Sequence, residues 1–376
     1  MAKDYSGGSE ADWRFSRRSA FSALFPSLIL GSSLLGGEKI ALGGQPAPIP
    51  PKSLAAASTF PWQRLLSELA VTSGPYSGTW RSAPNGPINW YFANIGLGFF
   101  AADIPDAIRN YLNLYITLLN PQSVIMDVAA DLATPVAPDS HDAYAGTFLS
   151  LAVRYARSTG DSTWWKANLA RLKMVAYANL LTQVKPNGLI RVFQSPNPNG
   201  TAYLMDQCEA YAGLRDFGQY LLETNDTDAA YYSGFALNLG IAIHTQFDYN
   251  ANLWLWCDVP SPASNAWYPN LTAQIYPHLH DVHSTDAPGD YNRLHRGFEV
   301  LVQAVPDWST RPQDLYPWLV VGYYVALRQE LTALAFAMRS LVLQYYLPGS
   351  VNAGRMLISE IGYVRGIVEC QSLNTA

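Results

Sequence analysis

Beyond residue 58 the apolar positions recur at intervals of three and four, in runs separated by short Pro, Gly and Asn breaks. Phe148, Leu151, Ala152 and Tyr155 illustrate the period, falling on a single stripe of a helix. The pattern predicts helices over roughly 61–72, 88–101, 104–119, 140–159, 162–183, 203–223, 227–247, 266–283, 289–304, 313–327 and 329–346, with another near 351–366. Start signals stand in the breaks: Pro138-Asp139-Ser140, Gly160-Asp161-Ser162 and Asn225-Asp226. Alternation with period two is confined to Gly188–Phe193 and Asn252–Cys257, which predict short hairpin arms at a rim. About twelve helices in antiparallel pairs, spaced by about 40–64 residues per pair and with no fixed repeat, point to a closed α/α toroid instead of an open solenoid.

The first 57 residues follow another pattern. A polar stretch containing Ser16-Arg17-Arg18 precedes the apolar segment Ala20–Leu35, which is the order of a secretory signal. Pro26, Gly31 and two serines interrupt that segment, leaving it too short and too polar for a membrane span, although transient association of residues 20–35 with a membrane surface is open. Gly43–Lys52 reads as a Pro/Gly linker, and Ala55-Ala56-Ala57 as a cleavage site. The expectation is a signal and linker over 1–57, one domain over 58–376, and engagement of the export machinery. The arginine pair resembles a twin-arginine signal, with Ala20 where a large apolar residue is expected. That resemblance implies a bacterial protein, periplasmic or secreted.

Composition narrows the classes of partner. Hydrophobic residues make up 49% of the 376 and charged residues 14%, with 11 Trp and 23 Tyr. Such a chain fills a large core and has rings to spare for stacking on sugar faces. The net charge is −5 with no basic run past the arginine pair, so the electrostatic footprint of a nucleic-acid binder is missing. Cys208, Cys257 and Cys370 lie far apart, which excludes a disulfide scaffold and gives no zinc spacing. His278, His280 and His283 surround Asp281, and a helix would put His280 and His283 on one face. Without a further carboxylate at ligand spacing they predict no metal, and no cofactor is expected.

Two helix starts carry candidate chemistry. One is Asp139-Ser140-His141-Asp142-Ala143-Tyr144-Ala145-Gly146; the other is Asp206-Gln207-Cys208-Glu209-Ala210-Tyr211-Ala212-Gly213. Each has two acids three apart, a Tyr two after the second, and small residues behind it. Positions i and i+3 share a helix face, so each pair projects together from the first turn. Two such ends at one rim supply the two carboxylates of glycoside hydrolysis, one donating a proton while the other activates water or attacks carbon. Capping alone accounts for Asp139 at the N-cap with Asp142 at N3. It accounts less well for Asp206 and Glu209, which follow the apolar Tyr203-Leu204-Met205. Candidate catalytic residues are thus Asp142, Asp206, Asp139 and Glu209. Candidate substrate contacts are His141, Tyr144, Tyr211, Trp90, Trp254, Trp256 and Tyr268, with Trp254 and Trp256 on one side of a short strand.

The runs Asp139–Asp161 followed by Trp164, Tyr203–Leu214 and Trp267–Gln274 resemble the inner-helix signatures of the six-hairpin glycosidases. The resemblance implies an all-α (α/α)6 toroid with short rim β-hairpins and catalytic carboxylates at the starts of inner helices. Family members that hydrolyse unsaturated uronyl groups carry two essential aspartates about sixty residues apart, and Asp142 and Asp206, 64 positions apart, match those places. One departure stands out: Asn270 follows Tyr268-Pro269 where relatives often have Asp. The expected activity is hydrolysis of an extracytoplasmic polysaccharide or oligosaccharide. The alternatives are a catalytically silent glycan-binding protein, or a sugar epimerase or polysaccharide lyase on the same toroid.

Overall fold

A computed structural model describes residues 61–195, 200–259, 266–283, 288–309, 313, 318–327 and 356–373. The expected signal, linker and cleavage site, the apolar segment 20–35 and the expected helix 329–346 lie outside these residues. The contacts divide the chain between Pro61 and Trp62. Among the described residues no helix is long and apolar enough to cross a membrane.

From Trp62 onward the elements are α1 (Trp62–Leu69), α2 (Trp90–Leu97), α3 (Pro105–Leu118), the strands β1 (Asp127–Val128) and β2 (Pro135–Val136), α4 (Asp142–Thr159), α5 (Ser162–Asn179), α6 (Leu204–Glu223) and α7 (Ala229–His244). They continue with β3 (Phe247–Asp248), β4 (Leu253–Trp254), the helical segment Trp267–Leu279 that ends in α8 (Tyr276–Leu279), then α9 (Pro288–Ala304), α10 (Leu319–Leu327) and α11 (Ile358–Leu373). The local reasons are those expected of the residues. Asn89 caps α2 by accepting from the Phe92 N–H at 3.0 Å. Gly160 ends α4 with φ +67°, and Asp161 caps α5 by accepting from the Trp164 N–H at 2.9 Å.

Six inner segments follow one another around a ring: α2, α4, α6, Trp267–Leu279, α10 and α11, the last packing back against α2. Outside them α3, α5, α7 and α9 lie behind their inner neighbours, and α1 lies against α11. The protein is an all-α (α/α) toroid with short β-hairpins at its rim. Gly146 and Gly213 set the closest approach. A Cβ on Gly146 would meet the Glu209 carbonyl oxygen at 2.7 Å, and one on Gly213 would collide with the Gly146 backbone. The small residues behind each acid pair are what let α4 and α6 pack backbone to backbone.

A repeated device fixes the rim. Gln207 on α6 accepts from the Ile190 N–H at 2.7 Å and donates to the Ile190 carbonyl at 2.9 Å. Gln274 treats Trp254 alike, at 2.9 and 2.8 Å. Each glutamine supplies a donor and an acceptor to a strand edge, fastening a rim loop to the inner segment that follows it.

Four expectations are corrected. Helix α4 begins at Asp142 with His141 as its N-cap, so Asp139 does not cap it and Asp142 stands at N1, not N3. The reason is local: the His141 N–H is taken by the Val192 carbonyl at 2.7 Å, and the Asp142 carboxylate accepts from its neighbour's N–H, Ala143, at 2.9 Å. The alternation at Gly188–Phe193 yields a single bridge, Val184 to Ile190, and that at Asn252–Cys257 the two-residue β4 with a separate bridge between Tyr203 and Cys257. The pair β1–β2 was not predicted. Finally, the chain leaves the helix at Leu279 and Asp281 takes φ +48°, so His280 and His283 share no helix face.

Candidate functional site: carboxylates at the N-terminal ends of the inner helices

Asp142 and Asp206, the two aspartates of the sequence motif, are wholly buried, at 0% exposure each. Gln207 ties Asp142 to the first turn of α6, the turn that carries Asp206. Besides holding Ile190, its amide donates to Asp142 Oδ2 at 3.1 Å, and Gln207 is the residue that follows Asp206. One turn on, Glu209 is buried and its Oε1 accepts from the Tyr91 hydroxyl at 2.6 Å. Glu360, buried on α11, accepts from the Leu319 N–H at 2.8 Å and so caps α10 from the neighbouring helix.

A fifth acid lies beside these. Asp127 on β1 accepts from the Tyr144 hydroxyl at 2.6 Å, the Asn89 amide at 2.8 Å and the Trp90 N–H at 3.2 Å. Burial pushes its carboxyl well above the ordinary range, the Tyr144 hydrogen bond pulls the other way, and nearby Asp139 pushes it further up. The Tyr144 phenol is also pushed well above its ordinary value, by burial and then by the Asp127 charge. The Tyr91 and Tyr144 rings stack with centroids 5.8 Å apart, so two tyrosine–carboxylate pairs, Tyr91–Glu209 and Tyr144–Asp127, lie ring on ring. Asp139 is half-buried, the most open of the acids that sequence singled out.

His141 joins the same end. Its Nδ1 accepts from the Gln194 N–H at 3.0 Å, and Phe193 packs edge-on to its ring at 5.2 Å. Burial pushes the imidazole down to about 4, so it is neutral at physiological pH. Two further ring pairs mark the rim: Tyr203 with Trp256 at 5.8 Å, and Tyr268 with Trp318 at 4.7 Å. Trp256 and Tyr268 are half-buried and keep part of their faces open.

Three expected sugar contacts are corrected. Trp90 and Trp254 are both at 0% exposure and belong to the core. Trp90 packs on Tyr111 and Tyr115, while Trp254 packs on His244 and Phe247, so Trp254 and Trp256 do not present a common face. Tyr211 is buried too, with its hydroxyl accepting from the His283 N–H at 3.2 Å and Arg215 above its ring. Cys208 and Cys257 are free and buried, and burial pushes the Cys208 thiol well up. Among the described residues no group of three or more His, Cys, Asp or Glu is placed to hold a metal ion.

Sequence reasoning missed Asp127, Asn89, Gln207 and Glu360. Asp127 falls in a two-residue strand, and no local pattern marks it. The signal that was available is Asn89, an N-cap residue opening the first inner helix.

No family model matches the chain, and no curated protein does. Solved structures do match in fold. A glycosidase aligns over 87% of this chain and all of its own, with a TM-score of 0.60 at 11% identity. An unsaturated glucuronyl hydrolase specific for heparin aligns over 86% of this chain and 97% of its own, with a TM-score of 0.56 at 11% identity. A mannosidase of glycoside hydrolase family 76 from Bacteroides thetaiotaomicron aligns over 86% and 99%, with a TM-score of 0.52 at 10% identity. At such identities the likeness is one of fold, the (α/α) toroid that those enzymes share.

Proposed function

We propose that this protein is a glycoside hydrolase acting on a polysaccharide or oligosaccharide through Asp142 and Asp206. The observation that carries the reading is the Gln207 bond: a side chain on the first turn of α6, next in sequence to the buried Asp206, donates to the buried Asp142 on the first turn of α4 and also fixes the rim. A hydrolase of this type needs two carboxyl groups on either side of the scissile bond, one supplying a proton and one activating water or attacking carbon. Asp139, Glu209, His141 and Tyr144 line the same end and fill supporting roles. Trp256 and Tyr268 offer ring faces for sugar stacking. An extracytoplasmic site of action rests on the N-terminal sequence pattern alone.

The lyase or epimerase reading needs a Tyr or His base. A phenol held well above its ordinary value and an imidazole held at about 4 are both poor bases at neutral pH, which argues against it. The glycan-binding reading keeps one observation: Asn270, whose carbonyl accepts from the Gln274 amide at 3.0 Å, stands where the resemblance expects an acid.

The test is a reducing-sugar and mass-spectrometry screen against bacterial exopolysaccharides and a panel of 4-nitrophenyl glycosides, with Asp142→Asn and Asp206→Asn alongside. Each variant should lose activity by a factor on the order of 10³. No hydrolysis by the wild type, or full activity in both variants, refutes the proposal.

A further inference from the structure

Asp127 belongs to none of the sequence motifs, yet it ties three elements of the ring together. From β1 it reaches the start of α2 at the Trp90 N–H, the cap of α2 at Asn89, and α4 at the Tyr144 hydroxyl. The Asn89 amide donates to the Tyr144 oxygen as well, at 2.8 Å, closing a triangle of Asp127, Asn89 and Tyr144. Tyr144 stands two residues after Asp142 on the first turn of α4, and five after Asp139, which lies in the segment leading into that turn. Its ring lies on Tyr91, whose hydroxyl holds Glu209. The orientation of one carboxylate at the rim is therefore mechanically linked to the first turn of α4 and, through the stacked rings, to Glu209 on α6.

We propose that Asp127 is a positioning residue of the carboxylate site, acting through the Tyr144 hydroxyl to fix the first turn of α4, on which Asp142 stands, and the segment of Asp139 and His141 that leads into it. This rests on the glycosidase reading above and extends it by a residue which that reading does not contain. Every group that reaches Asp127 is a donor, so only an acceptor fits there. An amide in its place turns an N–H2 against a donor and loses either the Trp90 N–H bond at Oδ1 or the Asn89 and Tyr144 bonds at Oδ2. Misplacement of a catalytic group by a fraction of an ångström to about 1 Å costs up to about a hundredfold in rate without weakening ground-state binding in proportion. Asp127 is also a buried titratable group close to Asp139, so its replacement alters the electrostatics of the site as well as its shape.

The experiment uses the full chain and whichever 4-nitrophenyl glycoside or exopolysaccharide the screen finds to be hydrolysed. Four variants are compared with the wild type: Asp127→Asn, Asp127→Glu, Tyr144→Phe and Asp142→Asn. Asp127→Asn should lower kcat by about thirtyfold and Tyr144→Phe by about tenfold, with KM within about twofold in both. The pH–rate profile of Asp127→Asn should differ from that of the wild type, because a buried titratable group beside Asp139 has been removed. Asp127→Glu, which restores the acceptor, should recover part of the loss. If Asp127→Asn does not fold, Tyr144→Phe carries the test, since it deletes one hydroxyl from a ring that stays in place. Should Asp142→Asn be inactive while Asp127→Asn and Tyr144→Phe keep kcat and pH profile within twofold of wild type, the positioning role is overturned and the hydrolase reading stands. Should Asp142→Asn and Asp206→Asn remain fully active, the hydrolase reading falls and this proposal falls with it.

Discussion

One end of the ring gathers buried acids, while toward the other Arg215, Arg157 and Arg365 pair with Asp216, Glu223 and Asp103. At the N-terminal ends of the inner helices lie Asp127, Asp139, Asp142, Asp206, Glu209 and Glu360; toward the other end lie Arg154 on α4 and Arg215 on α6, both acting on His280, the C-cap of α8. Between them Phe99 packs edge to face on Tyr323 and Tyr363, which are tilted against each other, with centroids 4.9 to 5.7 Å apart. Helix dipoles favour this arrangement at both ends, acids at the N-termini and cations at the C-termini, so charge alone identifies no function. What separates the ends is burial. Asp142, Asp206 and Glu360 are at 0% exposure, whereas Arg154 is exposed and, among the described residues, makes no hydrogen bond or ion pair. A dipole needs only a charge nearby. Taking carboxylates out of water is costly and is offset by hydrogen bonds such as those reaching Asp142 and Glu360.

Three changes test that contrast. The largest effect on stability should come from Gly213→Ala. Its methyl group meets the Gly146 backbone, which cannot rotate away, so α4 and α6 separate and the Gln207–Asp142 bond is strained. A loss of about 3 kcal/mol is expected in denaturant unfolding. A loss below about 0.5 kcal/mol would show that the two helices are not held at backbone contact.

Next comes the pH dependence carried by His141. Its folded value of about 4 lies below the ordinary 6.5, so the unfolded chain binds more protons in that window, and stability falls as pH drops from about 6.5 to about 4. His141→Asn should flatten this part of the stability curve by up to about 3 kcal/mol, the bound set by 1.36 kcal/mol per pH unit. An unchanged slope in the variant would mean that the ring is solvated and not buried against Phe193.

The smallest effect belongs to the opposite end. Arg154→Gln removes an exposed cation that interacts with Phe99 and a helix C-terminus, and should alter stability by about 0.5 kcal/mol and leave hydrolysis untouched. A large loss of activity there would dissolve the distinction between the two ends.

The helices were legible in sequence because the apolar period and the caps are local signals: Gly160-Asp161-Ser162 marks the turn between α4 and α5 to the residue. Asp142 and Asp206 were legible because each sits beside acids and small residues of its own turn. The rest was hidden for one physical reason, that it depends on partners far along the chain. Gln207 meets Asp142 across 65 residues, and Tyr91 meets Glu209 across 118. Asp127 has no marked neighbours and draws its burial from α2 and α4. Trp90 and Trp254 were misassigned because a ring destined for the core and a ring destined for a cleft have the same sequence signature.

Ring closure also has a temporal meaning. Gly96 on α2 lies against the backbone of Ile358 on α11, and the Ile358 N–H bonds the Ser82 carbonyl at 2.9 Å. These partners are 262 and 276 residues apart, so the contact that shuts the toroid is among the most non-local it makes, and loop-closure entropy must be overcome before it forms. Neighbouring pairs such as α4 with α6 can assemble early from nearby sequence, but Leu319 has no cap from Glu360 until α11 docks. The acid-lined end thus gains its last member, Glu360, only when α11 docks.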